Sequence, residues 1–382
     1  MKRSTTRILT THTGSLPRPD NLMQVMIAKE QGQPVVANEL ADTVRNAVTE
    51  AVRHQVAAGI DVISDGEMSK IGFANYVKDR LTGFGGHSIP FTAQDLLDHP
   101  DLKVHQLRRK EEGGGRNFIP ACTGPISLRD QDAVHRDIAN LKAALQEVQP
   151  EGVFMPAASP GAIAQVMQNR YYPTQEAYLY ALADAMRYEY QTIVAAGFTL
   201  QLDCPDLAMQ RHVRFAEASI DEFRKQMQQS VEVLNYALGG ISPEQVRIHV
   251  CWGNYPGPHH RDVPLKEIID LLLKIEGNAL SIEAANPRHE HEWNVFEQVH
   301  LPEGKILIPG VIDSCSNYIE HPEVVAQRLM RFARVVGREN VIAGSDCGFD
   351  TFAGASVVAP SVAWAKLQSL AEGAWLASQE LW

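Results

Sequence analysis

Short apolar runs alternate with longer amphipathic stretches along the whole chain. The clearest amphipathic stretch spans 38–59, where a valine recurs at every fourth position from Val44 to Val56 and predicts one apolar helix face. Asn38 is expected to cap the start of this helix and Gly59 to end it. Helices are also expected around 138–148 and over 175–196.

Nine runs rich in valine and isoleucine predict strands. In chain order they are RILTTHTGS, IDVISDGE, NFIPACTGPIS, GVFMPAASPGA, TLQLDCPD, VRIHVCWGN, ALSIEAAN, ILIPGVIDSCSN and NVIAGSDCGF. They lack the alternation of half-exposed strands, so most should be buried on both faces. A strand followed by a helix, repeated about eight times, predicts an α/β fold of the (β/α)8 TIM barrel type. A doubly wound sheet is the alternative, but no GxGxxG motif opens a helix after the first strand.

One predicted strand is surplus to an eight-stranded barrel, and either ACTGP or AASPG is expected to lie outside it. The Gly-rich polar segment 81–116, with GFGGHS and KEEGGGR, predicts an insertion or lid between early strands. No repeat or low-complexity linker divides the chain. We therefore expect one domain over 1–382 that carries this insertion.

The charge balance excludes some classes of partner. A formal net charge of −11 argues against nonspecific binding to nucleic acid or anionic membranes, which needs a basic face. No apolar run approaches the roughly 20 residues of a membrane span, and no apolar segment follows the basic N-terminus as in a secretory signal. The five cysteines are an odd number, so we expect reduced thiols in a cytoplasmic protein and candidate metal ligands before disulfides.

Polar side chains stand where the predicted strands end, which in a barrel is the face that carries the active site. They are Ser15, Glu67, Asp203, His249, Cys251, Glu283, Asp313, Asp346 and Cys347. His249 and Cys251 alternate along one strand and so point to the same side. With Glu283 and Cys347 they offer the nitrogen, sulfur and carboxylate ligands that zinc prefers. The alternative is that they are core residues, although a buried carboxylate such as Glu283 then needs another partner.

The same residues resemble a known family. HxC in HVCWGN, the Glu in SIEAAN and the Cys in GSDCGF resemble the zinc signature of cobalamin-independent methionine synthases, in their C-terminal catalytic barrel. GSLPRP, DGE and LQLD resemble further motifs of that family, in the same order, over about 8–355. The additional N-terminal barrel of the full-length enzymes has no counterpart here, so we expect a short relative with one barrel.

The resemblance implies roles for individual residues. Zn²⁺ would be held by His249, Cys251, Glu283 and Cys347, and it would activate the thiol of an acceptor such as homocysteine for S-alkylation. Backbone N–H groups at Gly14 and Ser15 would bind the acceptor's carboxylate. Glu67 and Asp203 would bind its ammonium, and together with Asp313 they are the candidate catalytic residues. The alternatives are a helix cap for Glu67, a hydrogen bond to a neighbouring loop for Asp203, and turn chemistry for Gly14 and Ser15.

The chain departs from the family on the side of the methyl donor. The family carries a His after the Asp of its GVxD strand as a general acid, whereas here Ser314 and Cys315 follow Asp313. The Trp that contacts folate in the family is also absent. We therefore expect a small-molecule thiol and an alkyl donor of unassigned type, with a corrinoid protein or a second copy of the chain as candidate partners.

Several alternative functions remain open at this point. The short relatives include proteins that resemble epoxyalkane:coenzyme M transferase, in which a non-amino-acid thiol opens an epoxide. A zinc-containing barrel without catalysis and a decarboxylase-like barrel without zinc are further alternatives. Trp252, Tyr255 and the pair His259–His260 are expected either to shape the donor pocket or to be solvated. His289, His291 and Trp293 are expected in an exposed first helical turn.

Overall fold

A closed barrel of eight parallel strands forms the centre of the protein. The computed structural model describes residues 1–89, 92–102 and 119–382. The described residues form ten strands, of which all but the third and fourth belong to the barrel. They are β1 (Leu9–Thr10), β2 (Val62–Ile63), β3 (Phe84–Gly85), β4 (Ala121–Cys122), β5 (Gly152–Ala158), β6 (Thr199–Asp203), β7 (Val246–Val250), β8 (Ala279–Ile282), β9 (Ile306–Ile312) and β10 (Ile342–Ser345). The barrel order is β1-β10-β9-β8-β7-β6-β5-β2, and a parallel bridge between Thr11 and Val62 closes the ring. The prediction of a (β/α)8 barrel is confirmed.

The surplus strand belongs to a small hairpin beside the barrel. β3 and β4 pair antiparallel, with Phe84 opposite Cys122. The ACTGP run is therefore the excursion, while AASPG ends β5 inside the barrel. Hydrophobic runs of similar length predict both strands equally well, so periodicity could not separate them.

Helices cover the outside of the barrel. They are α1 (Asp20–Glu30), α2 (Ala37–Ala57), α3 (Val77–Arg80), α4 (Gln94–Asp98), α5 (Asp132–Ala144), α6 (Pro160–Val166), α7 (Gln175–Ala195), α8 (Gln210–Val213), α9 (Ile220–Leu238), α10 (Ile269–Leu272), α11 (Pro322–Val336) and α12 (Pro360–Leu381). In the described part of the chain, no helix is long and apolar enough to cross a membrane.

The boundaries of α2 follow the sequence prediction closely, with one error. Gly59 has φ +82° and ends the helix as expected, because glycine adopts this left-handed conformation at no steric cost. The predicted cap at Asn38 is wrong: the helix begins at Ala37, and its N-cap residue Val36 offers no side-chain acceptor. Val44 is buried on the expected face, whereas Val56 at the end of the helix is 40% exposed.

The parallel strands bring the predicted site residues to one end of the barrel. Asp203 at the end of β6 lies opposite His249 on β7. Arg247 fills the barrel beneath them, where it donates to Thr11 Oγ1 and to the carbonyl of His12, and its guanidinium lies 3.9 Å from the centre of the Phe154 ring. The barrel interior is therefore packed with side chains, and its open end is where ligands can enter.

The predicted insertion at 81–116 is described in part. It contains β3 and α4, while residues 90–91 and 103–118 lie outside the described part of the chain. α4 packs against the loop that follows β7, the strand that carries His249. The insertion therefore reaches the end of the barrel where the candidate site lies.

Candidate metal centre and adjoining cavity

Three of the four predicted zinc ligands converge at the end of the barrel. His249, Cys251 and Cys347 each offer one ligand atom, and these atoms all lie within 4.8 Å of one another. The two Sγ atoms are 3.6 Å apart. All three side chains are buried. This arrangement can hold one metal ion between two sulfurs and a nitrogen.

The chemistry of the group fits a soft divalent metal. Neither ring nitrogen of His249 has a hydrogen-bond partner among the described residues, although both are buried. Such orphaned nitrogens are costly unless a ligand occupies them. Burial, aided by Arg247, lowers the pKa of His249 to about 3, so the ring is neutral and can ligate. The hydrogen bond with Cys347 lowers the pKa of the Cys251 thiol and favours the thiolate that binds metal.

Glu283 stands beside this group rather than within it. One carboxylate oxygen accepts from the backbone N–H of Trp252 at 2.7 Å, and the other accepts from Asn286 Nδ2 at 2.9 Å. The carboxylate is within hydrogen-bonding reach of Cys251, but it does not share the 4.8 Å cluster. Burial, together with the neighbouring Cys251, raises its pKa well above the usual range.

Glu67 and Asp203 are buried carboxylates close enough for their charges to interact, and Glu67 is also close enough to affect His249. Glu67 Oε2 is buried without a hydrogen-bond partner among the described residues, and the residue has φ +59°. Burial and the charge of Glu67 raise the pKa of Asp203 well above its usual range, although Asp203 accepts from Gln201 Nε2 at 2.7 Å. A left-handed backbone and an unsatisfied buried oxygen, as in Glu67, are features that cluster at ligand-binding and active sites.

The alternative roles for this pair do not match the structure. Glu67 does not precede a helix, since α3 begins ten residues later at Val77, so it is not a helix cap. The partner of Asp203 is on its own strand rather than on a neighbouring loop. Neither alternative role therefore accounts for the unsatisfied oxygen of Glu67.

Gly14 and Ser15 lie beside the carboxylate pair. Gly14 has φ +139°, and a Cβ there would stand 2.7 Å from Glu67 Oε1. Its backbone N–H already donates to His12 Nδ1 at 3.1 Å. Ser15 packs against Gly348, the residue after Cys347, so closely that a Cβ at Gly348 would overlap Ser15 Oγ. Ser15 therefore connects the first strand to the metal group.

A cavity of about 290 Å³ opens directly above the metal group. Its walls include Glu283, Asp313, Cys315 and Cys347. Asp313 Oδ1 accepts from the backbone N–H of Cys315 at 2.8 Å. Burial raises the pKa of the Cys315 thiol, with Asp313 adding to the effect, so this thiol is protonated at neutral pH. The cavity can therefore admit a small molecule to the Cys347 side of the metal group.

The family model for the cobalamin-independent synthase catalytic domain matches residues 133–365, more than half of the chain. The chain belongs to this family. Among curated relatives, the methionine synthases of Thermococcus kodakarensis and Sulfolobus acidocaldarius are each 24% identical, over 96% and 100% of this chain and 93% and 95% of theirs.

Solved structures with the same fold cover the chain equally well. A B12-independent methionine synthase from Shewanella sp. W3-18-1, in complex with selenomethionine, superposes with a TM-score of 0.73 at 20% identity, covering 98% of this chain and 99% of that one. A putative B12-independent methionine synthase from Listeria monocytogenes gives 0.65 at 18% identity, with the same coverage. These likenesses support the barrel assignment for this member of the synthase family.

Behind the cavity, three histidines surround one buried carboxylate that sequence reasoning did not single out. Asp262 is within 2.9 Å of His259 Nδ1, 3.0 Å of His289 Nε2 and 3.1 Å of His212 Nδ1, although the His212 contact lacks good hydrogen-bond geometry. Burial lowers the pKa of His259, but its bonds to Asp262 and to the carbonyl of Tyr255 outweigh this and raise the pKa to about 9. His259 is therefore a cation at neutral pH, and it lies in the wall of the cavity.

The exposed first turn expected at 289–293 is wrong for His289. Its ring is 2% exposed, donates to Glu292 and Asp262, and packs against Trp252 with ring centres 4.5 Å apart. Trp252 itself is fully buried and donates to the carbonyl of Val263, so it supports the site from behind rather than lining the cavity. No apolar periodicity marks His289 as buried, because Asp262 and Trp252, which cover it, come from another loop.

Tyr255 and His259 line the cavity, whereas His260 turns away from it toward Asp98. The pocket interpretation thus holds for the first two residues and not for the third.

Two asparagines that follow strand ends also hold the cavity walls together. Asn254 accepts from Ser314 Oγ and Cys315 Sγ and donates to the carbonyl of Gly348. Asn286 links Glu283 to Asp346. Their positions in CWGN and SIEAAN, just after metal-site residues, were the signal that could have identified them.

Proposed function

We propose that this chain transfers a methyl group to the thiol of homocysteine, with Zn²⁺ bound by His249, Cys251 and Cys347 and with Glu283 as the fourth ligand. The observation that carries the proposal is the buried His–Cys–Cys group beside two buried carboxylates, one of which, Glu67, has an oxygen without a partner among the described residues. Curated relatives that match almost the whole chain are named methionine synthase, and a structure with the same fold was solved with selenomethionine.

Zinc in this site would bind the acceptor's sulfur as a thiolate and keep it nucleophilic at neutral pH. The protonation and hydrogen bonding of the surrounding residues favour metal binding. His249 is neutral at neutral pH, and Cys251 receives a hydrogen bond from the backbone N–H of Gly253 at 3.2 Å, which stabilises negative charge on its sulfur. Glu283, held by Trp252 and Asn286, would supply the fourth, carboxylate ligand.

The carboxylate pair favours an amino-acid acceptor over other thiols. Glu67 and Asp203 are buried acids that repel each other, and an ammonium group between them would relieve that repulsion. For the acceptor's carboxylate we propose the backbone N–H of Ser15, since that of Gly14 is engaged by His12. An acceptor without an ammonium group, such as coenzyme M, would leave the repulsion between the two acids unrelieved by the ligand.

On the donor side, Asp313 and Cys315 occupy the region where the family resemblance would place a histidine. We propose that Asp313 acts on the donor's leaving group from this wall of the cavity. The donor reaches the sulfur through the cavity above Cys347, and the type of donor is left open. We also propose that the barrel over 1–382 acts as one catalytic domain in the cytoplasm.

The proposal is tested by zinc content and zinc X-ray absorption, before and after homocysteine or coenzyme M is added. We expect one zinc per chain that gains a sulfur neighbour with homocysteine and not with coenzyme M. The Cys251→Ala and Cys347→Ala variants should lose zinc, and Cys122→Ala, a buried cysteine outside the site, should retain it. A wild-type protein without zinc that matches both ligand variants would contradict the proposal.

A further inference from the structure

The insertion contributes one buried carboxylate to the wall of the cavity. Asp95, on α4, is fully buried. Its Oδ2 accepts from the hydroxyl of Tyr255 at 2.8 Å and from the backbone N–H of His259 at 2.9 Å. These contacts join segments that are 160 and 164 residues apart in the chain. Asp95 thus ties the insertion to the loop that follows the zinc ligand Cys251.

Both partners of Asp95 face the cavity. The rings of Tyr255 and His259 stack on one another with centres 4.3 Å apart, and both residues line the cavity above Cys347. His259 has φ +53°, a left-handed conformation that costs a non-glycine residue free energy and persists only where neighbouring contacts enforce it. The bond from its N–H to Asp95 is one such contact, and its ring bond to Asp262 is another.

Two glycines of the loop lie close against the ring of Tyr255. A Cβ at Gly253 would lie 2.6 Å from the Tyr255 ring, and a Cβ at Gly257 would overlap the opposite edge of that ring. Both glycines therefore let the backbone close around the aromatic side chain. Because the loop backbone packs closely on both edges of the ring, the position of the Tyr255 hydroxyl and the conformation of the loop depend on each other.

We propose that Asp95 is a positioning residue, through which the insertion fixes the Tyr255–His259 wall against which the alkyl donor binds. The inference rests on the proposed function, because it assumes that the donor approaches through this cavity. Asp95 touches neither the metal group nor the Glu67–Asp203 pair. Its removal should therefore weaken productive binding of the donor and spare the acceptor.

Asp98 provides a matched control on the same helix. It binds the next two residues of the same loop, accepting from His260 Nε2 at 3.0 Å and from Arg261 Nε at 2.6 Å. These partners do not line the cavity and are exposed to solvent. Loss of Asp98 removes an exposed contact between α4 and the same loop, and it leaves both bonds of Asp95 to the wall in place.

The experiment compares Asp95→Ala, Asp95→Asn and Asp98→Ala in the full chain with zinc bound. Methyl transfer to homocysteine is measured with methylcobalamin and 5-methyltetrahydrofolate as donor probes. For Asp95→Ala we expect the donor KM to rise about tenfold, as loss of two buried hydrogen bonds predicts, with homocysteine KM and zinc content unchanged. Asp95→Asn keeps an oxygen acceptor and should recover most of the loss, while Asp98→Ala should stay within about twofold of wild type.

Equal effects of Asp95→Ala and Asp98→Ala, or a parallel rise in homocysteine KM, would overturn the inference. An unchanged donor KM in Asp95→Ala would also overturn it. If Asp95→Ala does not fold, Tyr255→Phe removes one of the two contacts and should raise the donor KM about threefold; no change would refute the role. If wild type binds no zinc or uses neither probe, the proposed function fails first and the inference with it.

Discussion

Replacing Glu67 by Gln should make the ligand-free protein more stable and acceptor binding weaker. Glu67 Oε2 is buried without a partner among the described residues, and its charge opposes ionisation of Asp203. The substitution keeps the shape of the side chain, removes the charge, and supplies an amide that can donate to Asp203. Stability should therefore rise where function is lost, which is the expected trade-off at a binding site that is strained without its ligand.

The size of both effects can be worked out. A buried unsatisfied polar group costs about 1–3 kcal/mol. Unfolding entropy of about 2.1 cal/mol/K per residue gives roughly 0.8 kcal/mol per degree for 382 residues, so Tm should rise by about 1–4 °C. A hydrogen bond between ammonium and carboxylate contributes about 1.5–3 kcal/mol, so homocysteine affinity should fall about 10- to 150-fold.

Calorimetry with and without homocysteine, together with homocysteine KM, measures both quantities. Glu189→Gln is the control, because this buried glutamate has full partners in Tyr76 at 2.5 Å and Arg80 at 2.9 Å. Breaking that network should cost about 3–5 kcal/mol and lower Tm. The reasoning would be refuted if Glu67→Gln lowered Tm as Glu189→Gln does, or if homocysteine raised the Tm of Glu67→Gln as much as that of wild type.

Three further outcomes are expected. Chelating zinc should lower the wild-type Tm by about 5 °C, since a ligand at 1,000 times its Kd contributes about 4.1 kcal/mol, and calorimetry of Cys347→Ala should show no such shift. Gly161→Ala should cost about 1–3 kcal/mol in urea unfolding, because the added Cβ would overlap Asp206 Oδ2; an unchanged midpoint would contradict this. Burial raises the pKa of Asp206 from 3.8 to about 6, so its contribution is full below pH 3.8 and is lost as pH rises through 6. In a series of unfolding curves, Asp206→Asn should therefore remove a decline of about 3 kcal/mol, and an unaltered slope would assign that decline to other groups.

The metal side of the site was accessible to sequence reasoning because strands impose geometry. His249 and Cys251 share a face through simple alternation, and parallel strands bring Cys347 to the same end of the barrel. Glu283 illustrates the limit of this reasoning: the sequence places it at the right strand end, but its contacts with Trp252 and Asn286, which decide how far it stands from the metal group, come from loops.

The donor side could not be predicted, because its contacts are long-range and polar. Asp95 lies in the insertion and contacts Tyr255, which is 160 residues away in the chain, so no local pattern in the insertion marks this contact. Asp262 collects three histidines from three segments, and none of them carries an apolar periodicity that would mark it as buried. A contact between two loops leaves no local sequence pattern. The sequence therefore predicted Tyr255 and His259 as pocket residues, but it did not identify the carboxylates that bind them.

The strand ends and the loops of the candidate site differ in how freely they can change. The proposed metal and acceptor residues stand at strand ends or on the short segments just after them, and barrel hydrogen bonds and buried residues such as Arg247 set the positions of these strands. The donor wall stands on the loop after Cys251 and on α4 of the insertion, which can change without disturbing the barrel. Under the proposed function, the groups that activate the thiol can therefore be retained while the electrophile changes. A change of electrophile would explain two features of this cavity. The histidine that the family carries after Asp313 is absent, and Tyr255 and His259 form a wall there.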